Sequence, residues 1–155
     1  MDSCPRNGAP LAIVAEDDDA GRRLIVAWLE HNGYRVVAAR DGLELLERVE
    51  LLHCAGELDE PFLIVTDVDM PRCDGLAALA RIGPRFPGAA AVVVTAFGDA
   101  ATRRQARLLG ATAVLDKPFR LRELAEAAKV ALRVKSRIAL RASAPQIRRA
   151  GPLRP

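Results

Sequence analysis

The sequence predicts an α/β fold, an open sheet of five parallel strands with helices on both faces. Three observations lead to this prediction. Five short apolar runs recur along the chain, and four of them are nearly continuous in apolar residues, as expected for parallel strands covered on both sides. Amphipathic segments with helical spacing lie between them. No internal repeat interrupts this alternation, so the pattern is (βα) five times.

The five strands are predicted at 11–15, 34–39, 62–67, 91–95 and 112–116. The second contains Tyr34 and Arg35 and is more polar than the others, which favours a position at the sheet edge. We expect the flavodoxin-like strand order 2-1-3-4-5. In such sheets ligands bind outside the carboxyl ends of the strands, beside the point where the order reverses. That point lies between the first and third strands.

The helices are predicted from apolar residues at helical spacing between start and stop signals. Capping acids or proline mark the starts, and glycine or proline marks the stops. The signals, in chain order, are Asp18-Asp19 with Gly33, Asp41-Gly42, Pro84 with Pro87, Asp99 with Gly110, and Pro118-Phe119. The apolar faces are Leu24, Ala27 and Trp28; Leu45, Val49 and Leu52; Leu76, Leu79 and Ala80; and Leu121, Leu124, Ala125, Ala128 and Leu132.

The chain of 155 residues is long enough for one domain with short extensions. We expect an N-terminal arm at 1–10, the domain at 11–133, and a basic, disordered tail at 134–155. From Arg133 onwards there are seven basic residues and no acid, whereas the chain as a whole has a net charge of only +3. The preceding body is therefore acidic, which argues against a basic nucleic-acid-binding fold.

Composition also excludes other classes. No apolar stretch approaches the roughly 20 residues of a membrane helix, and the N-terminus lacks the apolar core of a secretory signal. The three cysteines, Cys4, Cys54 and Cys73, are scattered, which fits free thiols in a reducing compartment. The sequence thus predicts a cytoplasmic protein without a membrane span.

Chemically distinctive side chains stand where the predicted strands end. Glu16 and Asp17 follow the first strand, Asp67 closes the third, Thr95 closes the fourth, and Lys117 follows the fifth. Each alone has an ordinary structural explanation, such as a helix cap or a strand end. Their joint occurrence at the carboxyl ends of one parallel sheet predicts a single site that handles phosphate.

The charges of this site predict a divalent cation. Two carboxylates about 4 Å apart repel by about 4 kcal/mol at an effective dielectric near 20, and Lys117 compensates only one of the three acids. An all-oxygen set favours Mg²⁺, or Mn²⁺ in its place. Asp67 could then act as a nucleophile and form an aspartyl phosphate, with Lys117 absorbing developing charge and Thr95 donating a hydrogen bond to the phosphoryl group.

At these residues the chain resembles a receiver domain of a bacterial two-component response regulator. The resemblance covers about residues 11–133. It rests on four segments that together are highly specific: Ala15-Glu16-Asp17-Asp18, Val65 to Pro71 with Asp74-Gly75, Val94-Thr95-Ala96, and Asp116-Lys117-Pro118-Phe119.

The resemblance implies a role for each site residue. Asp67 would be the phosphoacceptor, and Thr95 and Lys117 would contact the phosphoryl group. Asp17 would bind Mg²⁺ directly, Glu16 mainly through water, and Asp69 through its backbone carbonyl. The Lys117–Pro118 peptide bond would be cis.

The resemblance also implies the partners. A histidine kinase or a histidine phosphotransfer protein would donate the phosphoryl group, near Arg22 and Arg23 of the first helix unless these merely line a solvated surface. The 22 residues after Arg133 are too few for a DNA-binding domain. We therefore expect a single-domain regulator, without a turnover substrate, that signals to a downstream protein through its fourth helix, fifth strand and fifth helix. The sequence is also compatible with a homodimer.

Three positions depart from the family pattern. Val114 stands three residues before Lys117, where the family commonly has an aromatic switch residue. Asp69 adds a carboxylate near the site, with an effect on phosphate lifetime whose sign the sequence does not give. Phe97 is bulky enough to hinder water, which predicts slow self-dephosphorylation.

Three alternatives stay open at this stage. Asp67-Val68-Asp69 also resembles the nucleophile motif of haloacid-dehalogenase-type phosphohydrolases, with Asp69 as general acid/base, but Pro71 departs from that motif and Glu16-Asp17 would have no role. A non-phosphorylated pseudo-receiver would usually have lost an acid, the threonine or the lysine, and all are present. The basic tail could be a solvated extension or an electrostatic anchor.

Overall fold

A computed structural model describes residues 8–143, which form a parallel sheet flanked by helices. The strands are β1 (Leu11–Ala15), β2 (Arg35–Ala39), β3 (Phe62–Asp67), β4 (Ala89–Thr95) and β5 (Ala111–Asp116). The helices are α1 (Asp19–His31), α2 (Gly42–Cys54), α3 (Gly75–Ile82), α4 (Ala100–Leu108) and α5 (Leu121–Ser143). The alternation of strands and helices is the predicted one.

All strand pairs are parallel and the order is β2-β1-β3-β4-β5. This confirms the predicted flavodoxin-like class, and β2 lies at the edge as its polar sequence indicated. In the register, Asp67 of β3 pairs with Val94 of β4, and Thr95 pairs with Asp116 of β5. The carboxyl ends of these strands therefore lie along one edge of the sheet.

The sheet separates two apolar layers. Alternate residues of a strand point to opposite faces, so Ile13 of β1 packs on one side and Val14 on the other. Ile25 of α1 and Leu124 of α5 cover the side of Val14. The other side is covered mainly by α2 and α3, for example through Leu45. Burying one such aliphatic side chain stabilises the fold by about 1.5–3 kcal/mol.

Aspartate caps fix where four helices begin. The side chains of Asp18, Asp41, Asp74 and Asp99 each accept a hydrogen bond from a backbone N–H in the first turn, at 2.7–2.9 Å. Such caps stabilise a helix by about 1 kcal/mol. They also place the N-termini of these helices directly after the carboxyl ends of the strands.

Some element ends differ from the prediction. β4 and β5 begin earlier, at Ala89 and Ala111, and β2 begins later, at Arg35. Ala89 and Ala90 are buried and paired with β3, but as alanines they carry little strand signal in the sequence. Tyr34 is buried although it precedes the strand.

The predicted disorder is wrong for residues 134–143, because α5 continues to Ser143. The domain boundary after residue 133 stays a prediction. Helix-forming residues without glycine or proline extend through this segment, and Lys135 and Ser136 remain partly covered. The rest of the predicted tail, 144–155, and residues 1–7 of the predicted arm lie outside the described residues. Within residues 8–143, no helix combines the length and hydrophobicity that crossing a bilayer requires.

Candidate functional site

Lys117 follows β5 and joins two carboxylates from other strands. Its Nζ donates to Oδ2 of Asp67 at 2.5 Å and to Oε2 of Glu16 at 2.8 Å. Asp67 is the last residue of β3, and Glu16 directly follows β1. The fold therefore brings three of the predicted site residues into direct contact.

Both carboxylates bound by Lys117 are almost fully buried. Burial raises the pKa of Glu16 above its ordinary value, although hydrogen bonds from Lys117 and from the Asp18 N–H oppose this change. For Lys117, burial lowers the pKa, but the hydrogen bonds to Asp67 and Glu16 outweigh it and raise the pKa overall. Lys117 is therefore a cation at neutral pH.

Asp17 completes an acidic cluster with Glu16 and Asp67. One carboxylate oxygen of each lies within 4.8 Å of the others, and Asp17 is the exposed member. Three carboxylates and one ammonium leave two negative charges uncompensated. A group of carboxylate oxygens with that charge and an opening to solvent fits a hard divalent cation such as Mg²⁺. The donor set thus agrees with the predicted metal site.

Asp69 contacts the site through its backbone. Its N–H donates to Oδ1 of Asp67 at 3.1 Å, so the two oxygens of Asp67 have different partners. The Asp69 side chain is exposed and lies outside the acidic cluster found within residues 8–143. A metal-binding role for its carbonyl oxygen stays a prediction.

Thr95 lies at the same edge, one residue beyond the register partner of Asp67. Its buried hydroxyl accepts a hydrogen bond from the Phe97 N–H at 3.2 Å. Its carbonyl oxygen accepts from the Lys117 N–H at 2.8 Å. The backbone thus ties Thr95 to Lys117, and contact of the hydroxyl with a phosphoryl group stays a prediction.

Residues around the site clarify three further expectations. The Lys117–Pro118 peptide bond is cis, as the resemblance implied. The side chain of Phe97 is 81% exposed, and shielding of the site by this ring stays a prediction. Arg22 is largely buried and donates to the Glu16 carbonyl at 2.9 Å, whereas Arg23 is exposed. Of the two arginines, Arg23 is therefore the one exposed on the surface, where its Nε donates to the Asp19 carbonyl at 3.3 Å.

Two arginines that hold the neighbouring loops could not be identified from the sequence. Arg72, after β3, pairs with the buried Asp41 at 2.7 Å. Arg103 of α4 pairs with Asp116 at the end of β5. In both pairs the partners come from separate elements, so local spacing gives no signal for them. In the sequence, Asp116 is recognisable only as the residue that precedes Lys117, and nothing indicates its pairing with Arg103.

Comparison with known families and proteins gives one consistent result. The family described as "Response regulator receiver domain" matches residues 12–129. The chain is 36% identical over 121 residues to the transcriptional regulatory protein PdtaR of Mycobacterium tuberculosis, covering 77% of this chain and 55% of PdtaR. It thus spans about half the length of that relative.

Two further similarities extend over almost the whole of the matched protein. The response regulator receiver protein CpdR of Brucella abortus is 34% identical over 113 residues, covering 72% of this chain and 88% of CpdR. The crystal structure of a CheY-like response regulator receiver domain protein from Methanospirillum hungatei superposes with a TM-score of 0.74. Its sequence identity is 25%, with coverage of 84% of this chain and 98% of that one.

Proposed function

Because this chain belongs to the response regulator receiver domain family, a family of signalling domains in two-component systems, we propose that Asp67 is its phosphoacceptor. A histidine kinase or a histidine phosphotransfer protein would donate the phosphoryl group in a reaction that needs Mg²⁺. The phosphorylated form would then bind a downstream protein.

The contact between Lys117 and Asp67 carries this proposal. An ammonium 2.5 Å from the buried Asp67 carboxylate offsets the negative charge of the group that would act as the nucleophile. In the transfer, one Asp67 oxygen forms a bond to phosphorus while the bond from phosphorus to the donor breaks, and its electron pair leaves with the donor. Lys117 then remains beside the new phosphoryl group and balances its charge.

The acidic cluster supports the metal requirement. Asp17, Glu16 and Asp67 would hold Mg²⁺, with the Asp69 carbonyl as a further ligand, and Mn²⁺ could replace it. When bound, the ion supplies positive charge that offsets the phosphoryl oxygens. Without such a cation the phosphoryl group would approach a site carrying two uncompensated negative charges.

Thr95 is proposed to recognise the phosphorylated state. Its hydroxyl oxygen accepts from the Phe97 N–H, which leaves the hydroxyl proton free to be donated to a phosphoryl oxygen. That donation would orient the hydroxyl and, through the Phe97 N–H, affect the loop before α4. The surface of α4, β5 and α5 would then bind a partner protein in response to phosphorylation. A second copy of this chain, forming a homodimer, is one such partner.

Intact-mass spectrometry after incubation with acetyl phosphate and Mg²⁺ tests the proposal. The wild type should gain one phosphate with acetate as the leaving group, and Asp67→Asn should gain none. Asp69→Asn is the matched control, because its side chain lies outside the acidic cluster, and it should still be labelled. An adduct of equal yield on Asp67→Asn would refute Asp67 as the acceptor.

The same experiment separates the other candidate functions. Catalytic release of inorganic phosphate from a phosphomonoester, in excess over the protein, would indicate a phosphohydrolase instead. Absence of any adduct on the wild type would indicate a pseudo-receiver. The expected slow self-dephosphorylation is measured as the half-life of the adduct, and an unchanged half-life in Phe97→Ala would contradict the shielding role of Phe97.

A further inference from the structure

One arginine of α4 connects the two segments that carry Thr95 and Lys117. The Nε of Arg103 donates to the Gly98 carbonyl at 3.1 Å, and its Nη1 donates to the Val114 carbonyl at 3.3 Å. Its Nη2 forms an ion pair with the Asp116 carboxylate. A single guanidinium therefore spans the loop between β4 and α4 and the end of β5.

The loop is shaped to allow this contact. A Cβ atom added at Gly98 would overlap the Asp116 carboxylate and would lie 3.0 Å from Nη2 of Arg103. Any side chain at position 98 would thus displace one partner of the ion pair. The ion pair between Arg103 and Asp116 therefore depends on the absence of a side chain at Gly98.

Gly98 and Asp116, two partners of Arg103, lie close in sequence to proposed site residues. Gly98 belongs to the loop that follows Thr95, and Asp116 directly precedes Lys117. Asp116, the last residue of β5, contacts Arg103, whereas Lys117, the next residue, contacts Asp67. A change in the Arg103 contacts would therefore be passed to both Thr95 and Lys117.

Two nearby residues, Val114 and Arg104, help to define the role of Arg103. At Val114, where the family commonly has an aromatic residue, the Arg103 guanidinium donates to the backbone carbonyl. Arg104, the next residue of α4, is exposed, and its side chain has no hydrogen bond or ion pair within residues 8–143. The two arginines are thus adjacent in sequence but differ fully in their contacts.

We infer that Arg103 is a positioning residue that holds the loop after β4 against the end of β5 and so sets the geometry between Thr95 and Lys117. The rival explanation is that Arg103 and Asp116 form a surface ion pair that contributes only to stability. Most surface ion pairs make only a small contribution of this kind. The effect on phosphoryl transfer rests on the proposed function, whereas the effect on the loop does not.

Hydrogen exchange of the unphosphorylated protein tests whether Arg103 holds the loop after β4 in place. In Arg103→Ala, the amides of residues 96–99 and of Lys117 should exchange faster than in the wild type, while Arg104→Ala should match the wild type. Arg103→Lys keeps the charge but cannot form the three contacts together, so it should resemble Arg103→Ala. Equal exchange in all four proteins would refute the inference, whether or not the protein accepts phosphate.

Labelling by acetyl phosphate tests the consequence for the site. We expect the rate constant of Arg103→Ala to fall about fivefold, the factor that about 1 kcal/mol gives, with Arg104→Ala unchanged. Asp116→Ala should lower the rate similarly, and the double variant should be no slower than either single one. Equal rates in Arg103→Ala and Arg104→Ala would overturn the inference, even if Arg103→Ala had a lower melting temperature.

These outcomes also separate the two proposals. If the wild type is not labelled at all, the proposed function fails and the exchange data alone decide the role of Arg103. If the wild type is labelled and Arg103→Ala exchanges and reacts like Arg104→Ala, the proposed function stands and the positioning role fails.

Discussion

Asp41 fixes the loop that follows Asp67, although it belongs to another part of the sequence. Its carboxylate caps α2 by accepting from the Glu44 N–H at 2.9 Å, and it also pairs with Arg72. Arg72 has a φ of 66°, in the left-handed region that non-glycine residues seldom occupy. The ion pair and the hydrogen bond from the Gly42 N–H to the Cys73 carbonyl together hold this conformation.

Asp41→Asn should lower the free energy of unfolding by about 1 kcal/mol at pH 7, since the cap remains but the ion pair is lost. Burial by itself raises the pKa of Asp41, but hydrogen bonds from Glu44 and Arg72 lower it overall. The carboxylate thus stabilises the fold above its unfolded pKa, and this contribution is lost as the pH falls through the lower, folded pKa. Urea unfolding as a function of pH measures it.

The difference in unfolding free energy between the wild type and Asp41→Asn should therefore become smaller at acid pH. Asp74→Asn is the control, because Asp74 is also a helix cap but has no arginine partner within residues 8–143. A difference for Asp41→Asn that stays constant down to the acid-unfolding range would contradict the role of the ion pair.

Gly75 is required by a close approach of two chain segments. A Cβ atom there would overlap the Asp67 carbonyl oxygen and lie 2.7 Å from Oγ1 of Thr66. Gly75→Ala should destabilise the protein by about 1–3 kcal/mol through overpacking, as measured by thermal unfolding. Gly8→Ala, with nothing within 4 Å of the added atom, should have no effect, and equal melting temperatures for the two variants would contradict this.

The sequence was sufficient to predict that the residues at the strand ends meet, but it did not reveal the arginines that hold the neighbouring loops. Glu16, Asp67 and Lys117 stand at strand ends, so the fold alone brings them together. Arg72 and Arg103 reach partners across loops, and many rotamers of a long side chain fit the same local sequence. Only the folded backbone decides which partner an arginine contacts.

At the scale of elements, α5 shows where pattern reasoning succeeds and where it fails. Its apolar spacing correctly identified the face that packs on the sheet, including Leu124 and Ala128. The same reasoning ended the domain at residue 133, because the basic residues beyond it suggested a tail. From Arg137 to Arg141 the described side chains are exposed, so the helix there is maintained without burial and leaves little apolar pattern to detect.

Two leucines of α5 should respond very differently to truncation. Leu124 is fully buried, whereas Leu140 is 72% exposed. Leu124→Ala should cost about 2–5 kcal/mol of unfolding free energy, from lost apolar contact and the cavity left behind. Leu140→Ala should change it by less than about 0.5 kcal/mol, and a comparable loss in both variants by chemical denaturation would contradict the observed packing.

At the scale of the whole molecule, the site exists only when the sheet is complete. Lys117 lies 101 residues from Glu16 and 50 residues from Asp67 along the chain. β1, β3 and β5 must all be in place before these groups meet. A ligand of the site therefore binds the folded state and stabilises the entire domain.

Saturating Mg²⁺ should raise the melting temperature. A concentration of 100 times the dissociation constant stabilises the folded state by about 2.7 kcal/mol, which for this size corresponds to a shift of about 5–10 °C. Asp17→Asn should remove most of the shift, whereas Glu30→Gln, an exposed acid of α1, should keep it. Differential scanning calorimetry measures both, and an equal shift in the two variants would contradict the metal site.

The close fit between Gly98, Arg103 and Asp116 has a consequence for sequence divergence. A larger residue at position 98 would displace the Asp116 carboxylate, and without that carboxylate the guanidinium loses its ion-pair partner. An aligned set of relatives should therefore show covariation among these three positions. Chains that replace Gly98 by a bulkier residue should also have exchanged the arginine or the aspartate, so the three positions would have evolved together.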